Sequence, residues 1–239
     1  MELDRFAMKL IGLDELEKSG VVANCRMNRE RSLTGPNGYS RDLGFNPLHV
    51  LQRQAEGKPR VRWLDLCCGS GMALSEAAEV IHNEGMEARF EIIGVDLVGM
   101  FVQPPAESGC LRLLEQSLST WKPIGRFDLI TSVHGLHYIG DKLGLIERAV
   151  SWLTDDGHFA ANLDLNNLRF GDSRLAGRTV VAELRKSGLQ YSARKKLLTC
   201  EGHRAKLTRF RFLGADDQAG PNYTRQPAVN SYYERSEVE

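Results

Sequence analysis

Two aspartates each close an apolar run: Val61-Arg62-Trp63-Leu64-Asp65 and Phe90-Glu91-Ile92-Ile93-Gly94-Val95-Asp96. A carboxylate at such a tip can accept hydrogen bonds from ligand hydroxyls or pair with a cation. Asp65 leads into Leu66-Cys67-Cys68-Gly69-Ser70-Gly71, a turn of small residues. Glycine there lets the backbone approach a ligand closely, because a Cβ would collide. A third apolar run, Phe127 to Val133, delivers His134 and His137, with Tyr138 beside them. Histidine has an ordinary pKa of about 6.5, which suits it to take a proton from an acceptor. The same side chains can also cap the loop and pack.

These residues need a scaffold that brings run ends together. The 61–66 run, the small turn and the helical pattern 72–84 read as strand, loop and helix N-terminus, a site for part of a nucleotide-like ligand. Strands follow at 90–95, 111–115, 127–133 and 158–163, the last after a turn at Thr154-Asp155-Asp156-Gly157. Helices are expected over 142–153 and about 174–186, ending at Gly188, and two further strands at roughly 190–200 and 206–213. Crossovers of this length argue a parallel sheet covered on both faces, and the short final link requires one antiparallel strand. Upstream, 3–18 has an amphipathic helical pattern. Asn46-Pro47 opens another helix to about Ala55, with Asn46 as N-cap. The dinucleotide fingerprint G-x-G-x-x-G competes for the small turn, but Gly69-x-Gly71 runs on into Ala73-Leu74 and lacks its third glycine.

The chain has 239 residues, 42% apolar and 26% charged, with no formal net charge. That suits a soluble globular protein with no global field drawing it to nucleic acid or membrane. The average conceals an asymmetry. Twelve Lys/Arg stand against three acids between Arg169 and Arg211, so the rest of the chain carries the opposite excess. This stretch is a solvated basic face or a landing surface for an anionic substrate. Five cysteines (Cys25, Cys67, Cys68, Cys110, Cys200) have no metal-ligand spacing and read as reduced thiols of a cytoplasmic protein. No metal site is expected. Neither a signal-peptide core nor a membrane-spanning apolar run is present.

Four stretches together resemble the class I S-adenosylmethionine-dependent methyltransferases. Asp65 to Gly71 looks like that family's first motif, and Gly94-Val95-Asp96-Leu97 like the second. Phe127-Asp128-Leu129-Ile130 with Leu136-His137-Tyr138 looks like the fourth-strand motif, and Asp156-Gly157 like the turn before the fifth strand. The resemblance covers about 55–213. It implies an α/β, three-layer Rossmann-like fold whose seven-stranded, mostly parallel sheet has the order 3-2-1-4-5-7-6, strand 7 antiparallel, with an N-terminal helical cap. It implies S-adenosyl-L-methionine as cofactor and S-adenosyl-L-homocysteine as product. Asp65 would sit near the methionyl ammonium, and the backbone of Cys67, Cys68, Gly69, Ser70 and Gly71 would face the methionyl part. Asp96 would hold the ribose and Leu97 would pack on adenine. Gln116, Ser117 and Leu118 fall at the adenine edge; Val133 and His134 meet the methyl donor.

Three departures stand out. Cys67 takes a place usually held by glycine. Residues 97–110 contain Pro104-Pro105 and read poorly as the second helix. No Asn/Asp-Pro-Pro-Tyr/Phe follows the fourth strand, which argues against methylation of an exocyclic base amine.

The organisation expected is a cap or lid over 1–57, a methyltransferase core over 58–213 and a tail over 214–239. The irregular segment 21–45 is the lid: Tyr39 and Arg41 close over the ligands, and another arginine among Arg26, Arg29 and Arg31 meets an acidic group. Tyr138 joins this substrate side, and His134 and His137 are the catalytic candidates. Tail tyrosines Tyr223, Tyr232 and Tyr233 offer walls for an acceptor pocket. The expected activity is methyl transfer to O or N of a small-molecule acceptor, acidic ones and natural-product intermediates included, by a monomer or homodimer. RNA or protein methylation through the basic 169–211 face, and cofactor binding without catalysis, are the alternatives.

Overall fold

The computed structural model describes residues 10–23, 30–103, 109–204 and 209–235. Short helices α1 (Leu13–Glu17) and α2 (Tyr39–Leu43) precede α3 (Pro47–Gly57). Asn46 caps α3: its Oδ1 accepts from Leu48 N at 2.9 Å, and Pro47 sits where a missing N–H costs nothing. Then come β1 (Val61–Leu66), α4 (Met72–Asn83), β2 (Phe90–Asp96), β3 (Leu111–Glu115), β4 (Phe127–Ser132), α5 (Lys142–Ser151), β5 (Leu153–Asn162), β6 (Leu168–Phe170), α6 (Gly177–Lys186), β7 (Gln190–Ser192), β8 (Leu197–Glu201), β9 (Phe210–Asp216) and β10 (Asn230–Arg235).

The main sheet has seven strands in the order β3-β2-β1-β4-β5-β8-β7. β1 to β5 run parallel, and β8 lies antiparallel between β5 and β7. This is the expected Rossmann-like sheet. β1 is buried almost throughout, as a central parallel strand covered on both faces must be. Its alternation assigns the faces. Val61 and Trp63 pack with α2, α3 and α4, while Leu64 and Leu66 pack on the side of α5 and α6. Asp65 therefore points towards α2.

Two expectations need correcting. The strand foreseen over 190–200 is a hairpin: β7 turns through Lys196, in the left-handed region at φ 51°, into β8. These two complete the main sheet. The strand foreseen over 206–213 is instead β9, displaced to 210–216, and it belongs to a second sheet of three strands in the order β6-β10-β9. β10 comes from the polar stretch after Pro227 and pairs antiparallel with β9 and parallel with β6. Tyr232 and Tyr233 accordingly serve packing. Tyr232 donates to Asp216 Oδ2 at 2.6 Å, and Tyr233 to Asp141 Oδ1 at 3.2 Å. The 154–157 turn bulges from β5, where the partners of Phe127 and Leu129 jump from Leu153 to His158. α6 begins at Gly177 rather than 174. Of the 3–18 pattern only α1 lies among the described residues with helical form, and 1–9 fall outside them.

Candidate active site

The turn after β1 is stapled to β2. Cys68 N donates to Val95 O at 3.1 Å, and Gly69 N donates to Asp96 Oδ2 at 2.9 Å. Val98 N takes the other Asp96 oxygen at 3.0 Å. Cys67 adopts φ 58°, a left-handed conformation that costs a side-chain-bearing residue about 1 kcal/mol. Gly135 accommodates it, since a Cβ on Gly135 would collide with Cys67 Cβ. The small residue at 135 is thus the counterpart of the side chain at 67.

A cleft opens at the C-terminal ends of β1, β2 and β4. Its floor is Cys67, Cys68, Gly69, Asp96, Leu97, Leu118, Val133 and His134. Leu13, Leu16 and Glu17 of α1, with Val22, form a roof, and Arg31, Tyr39, Tyr138 and Gln226 close one end. Asp141 and Arg148 add charge to the wall.

Asp65 lies one layer behind this wall. It is fully buried, Tyr39 donates to its Oδ2 at 2.6 Å, and Thr131 donates to its Oδ1. Trp63 Nε1 in turn donates to Thr131 Oγ1 at 2.8 Å. Burial pushes the Asp65 carboxyl up to about 7, against the pull of the Thr131 and Tyr39 hydrogen bonds. Burial, then the charge of Asp65, holds the Tyr39 phenol well above its ordinary value. Tyr39 lines the cleft and Asp65, bound to its hydroxyl, does not.

His134 follows β4 in a left-handed conformation, φ 59°, and starts the 3-10 turn Gly135–Tyr138. Its backbone N donates to Asn162 Oδ1 at 3.3 Å. Its Nε2 is 3.0 Å from Asp42 Oδ2, and its Nδ1 is 3.2 Å from the Tyr223 hydroxyl. Arg31 donates to the same Asp42 oxygen at 2.9 Å. Burial raises the Asp42 carboxyl, but the His134 hydrogen bond and the charges of His134, Arg31 and Arg41 outweigh it, so its pKa falls below the ordinary value. His137 stacks on His134 with ring centres 5.7 Å apart. It is buried, neither ring nitrogen has a hydrogen-bond partner among the described residues, and burial first, then His134, Lys142 and Arg31, hold its pKa well below the usual value. A neutral, enclosed His137 packs against the site and does not line the cleft.

The other expected residues divide. Ser70 is buried, and its carbonyl accepts from Val102 N at 2.8 Å. Gly71, φ 75°, caps α4. Gln116 is exposed, and its N donates to Asp96 O at 2.9 Å. Ser117 donates to Glu17 Oε1 at 2.6 Å, joining the sheet edge to α1. None of these four lines the cleft, and neither does Arg41, whose exposed guanidinium bonds Pro36 O. Arg26 and Arg29 lie outside the described residues. Tyr138 donates to Gln226 Oε1 at 2.8 Å across the cleft. Asp42, Glu17, Asp141, Arg148 and Gln226 were not foreseen. Tyr39 and Asp42, three apart on α2, carried the one local signal: that spacing puts both on one face.

A strand-tip cleft of this kind, with a backbone turn after β1 and a carboxylate closing β2, defines a Rossmann-like α/β protein that binds a nucleoside-type cofactor. The chain matches the methyltransferase-domain model over residues 39–212 and belongs to that family, whose methyl donor is S-adenosylmethionine. Comparison with curated proteins gave no match. Among solved structures it is similar to the StiE O-MT (residues 961–1257), at 20% identity and TM-score 0.36, over 47% of this chain and 42% of that one. It is similar to the plantazolicin methyltransferase BpumL in complex with SAH, at 13% identity and TM-score 0.38, over 62% and 53%. It is similar also to the [4+2]-cyclase SpnF, at 16% identity and TM-score 0.39, over 55% and 48%. The chain thus spans about two fifths to one half of those chains' lengths. No group of metal-ligating side chains and no helix long and apolar enough to cross a membrane occurs among the described residues.

Proposed function

We propose that this protein transfers a methyl group from S-adenosylmethionine to an oxygen or nitrogen of a small-molecule acceptor. The observation that supports this best is the cleft itself. One half offers the chemistry an adenosyl group needs: a carboxylate at the tip of β2, backbone of Cys67 to Gly69, and apolar Leu97 and Leu118. The other half is enclosed by Tyr39, Arg31, His134, Tyr138 and Gln226. In this proposal Asp96 holds the ribose, Leu97 and Leu118 clasp the base, and Cys67 to Gly69 face the methionyl part. Asp65 acts on the methionyl end through Tyr39. The bound cofactor supplies an electrophilic methyl group, so most of the protein's task is positioning.

The α1 residues Leu13, Leu16 and Glu17 cover the cleft, which favours a small acceptor over a polymer. Among the described residues, none from the basic 169–211 stretch lines the cleft, which favours a small acceptor over RNA or protein. We place the protein in the cytoplasm; no disulfide joins cysteines among the described residues.

Calorimetry with S-adenosylhomocysteine tests the cofactor half. The wild type should bind, and Asp96→Asn should weaken binding about 10-fold or more, the scale of a lost hydrogen bond to a charged group. Unchanged affinity in that variant removes Asp96 from the site, and no binding to folded wild type removes the proposal. The acceptor half is tested by mass spectrometry of cell extract treated with methyl-labelled donor. A labelled small molecule supports the proposal, labelled RNA or protein supports the polymer alternative, and binding without any labelled product leaves a non-catalytic binder.

A further inference from the structure

Three segments remote in sequence converge on one imidazole. Asp42 comes from α2, His134 from the end of β4, and Tyr223 from the link between β9 and β10. We propose that Asp42, His134 and Tyr223 form a proton relay, so that the acceptor is one that must lose a proton, an alcohol or phenol hydroxyl foremost. This rests on the methyl-transfer proposal above and narrows its substrate class.

The chemistry of the groups fixes the direction. Arg31 on the same oxygen keeps Asp42 a carboxylate, and a carboxylate only accepts hydrogen bonds. His134 Nε2 must therefore carry the hydrogen on that side. In the neutral ring Nδ1 is then a lone pair, and the Tyr223 hydroxyl donates to it. The Tyr223 hydroxyl lies 3.2 Å from Nδ1 of His134, which lines the cleft, and in the relay it is the group that meets the acceptor's hydroxyl. The Tyr223 phenol is held above its ordinary value by burial, then by the charges of Asp42, Asp164 and Tyr191, so it rests protonated. It passes a proton on only as it receives one.

The transfer balances as follows. The acceptor oxygen's lone pair forms the new bond to the methyl carbon, and the electron pair of the broken carbon–sulfur bond stays on sulfur. The acceptor's proton moves to the Tyr223 oxygen while the Tyr223 proton moves to His134 Nδ1. The imidazolium so formed is stabilised by Asp42. Tyr223 is the catalytic residue that meets the acceptor, and Asp42 is a positioning residue that sets the tautomer. The groups facing His134 are Asp42 and Arg31 from the N-terminal segment, Tyr223 from the β9–β10 link, and neutral His137 from its own turn.

The test reads the tautomer directly, by NMR of protein labelled with nitrogen-15 histidine, the His134 signals being assigned by their loss in His134→Gln. At about pH 9, well above the ordinary histidine pKa, wild-type His134 should carry its hydrogen on Nε2. Asp42→Ala should mix the two tautomers, and Tyr223→Phe should leave Nε2–H dominant. A wild-type ring protonated on Nδ1, or an Asp42→Ala ring still wholly Nε2–H, overturns the relay. Formation of the labelled extract product should fall at least about 10-fold in Tyr223→Phe, with S-adenosylhomocysteine affinity unchanged, because base catalysis is worth about 100-fold or more. Wild-type turnover by Tyr223→Phe sinks the relay and spares methyl transfer. Failure of the wild type to bind S-adenosylhomocysteine sinks methyl transfer, while the tautomer measurement still judges the relay.

Discussion

Asp65 shows how a single buried carboxyl couples fold to pH. It sits without exposure at the tip of β1, with both oxygens occupied by hydroxyl donors. Its folded pKa, about 7, is raised from the ordinary 3.8. The folded state therefore binds more protons than the unfolded one between those values. Stability from this group is fully present below about pH 4 and is lost as pH rises through about 7. Asn at this position keeps the shape, has no charge to bury and retains an acceptor oxygen. Asp65→Asn should gain on wild type between pH 4 and 7 by about 2–4 kcal/mol, one pKa unit being worth about 1.4 kcal/mol. Urea denaturation at a series of pH values measures it. A gap that does not change with pH would mean that Asp65 titrates alike in folded and unfolded chains. Cys67 makes the complementary point on the same turn. Its left-handed backbone is strained for any residue with a Cβ, while Gly135 leaves its side chain room, so the departure from glycine at 67 is accompanied by a glycine at 135.

At the scale of elements, Lys142 joins the two sheets. It opens α5, is fully buried, and its Nζ lies 2.8 Å from Ile139 O, 2.7 Å from Val229 O and 2.9 Å from Ser231 Oγ. The turn before α5 is thereby tied to the start of β10. Burial draws the Lys142 amine down from 10.5 to about 7, against the charges of Asp141, Asp216 and Asp164. A depressed lysine contributes stability above its unfolded pKa and loses it as pH falls through the folded one. Lys142→Met fills the space but strips partners from two buried carbonyls, at about 1–3 kcal/mol each. Its deficit against wild type should be largest near pH 10 and narrow as pH falls to about 7. Denaturation midpoints across that range decide it, and a constant deficit would show that the amine's charge state is not linked to folding. Nothing local announced this tie, and the same holds for β10, whose Asn-Ser-Tyr-Tyr-Glu-Arg string has no apolar alternation. The parallel strands were legible because each is a near-continuous apolar run bounded by turns. The β7–β8 hairpin was not, because Lys196 takes the left-handed turn position where glycine would have flagged a break. The site divides in the same way. Asp65, the small turn and Asp96 could be read because they sit at strand tips. Asp42 and Tyr223 reach His134 from 92 and 89 residues away, a distance over which sequence pattern carries no register.

The whole molecule is assembled around the cleft from three directions: the N-terminal segment as roof, the main sheet as floor, and the second sheet as the support for the link that carries Tyr223 and Gln226. The roof is the weakest of these. α1 has five residues, too few to persist alone, so its order comes from what it touches. Ile11 and Ala215 exchange backbone hydrogen bonds at 2.9 and 3.2 Å, Glu17 accepts from Ser117, and Leu16 and Val22 pack on Ala215 and Val229. Four buried side chains cannot match the clusters on either face of the main sheet. The roof should therefore open far more often than the sheet unfolds, as a ligand entering a covered cleft requires. Ligand bound beneath it, in contact with Leu13, Leu16 and Glu17, should hold it shut by mass action. Hydrogen exchange of the free protein should find the amides of Ile11 and Leu16 far less protected than those of β1 and β4. Saturating S-adenosylhomocysteine should slow the two roof amides by about 10-fold or more, which corresponds to about 1.4 kcal/mol, with a smaller relative change in the sheet. Roof amides as protected as β1 in the free protein would make α1 a fixed wall, and the ligand's route would then have to run past Tyr138 and Gln226, whose hydrogen bond closes the far end.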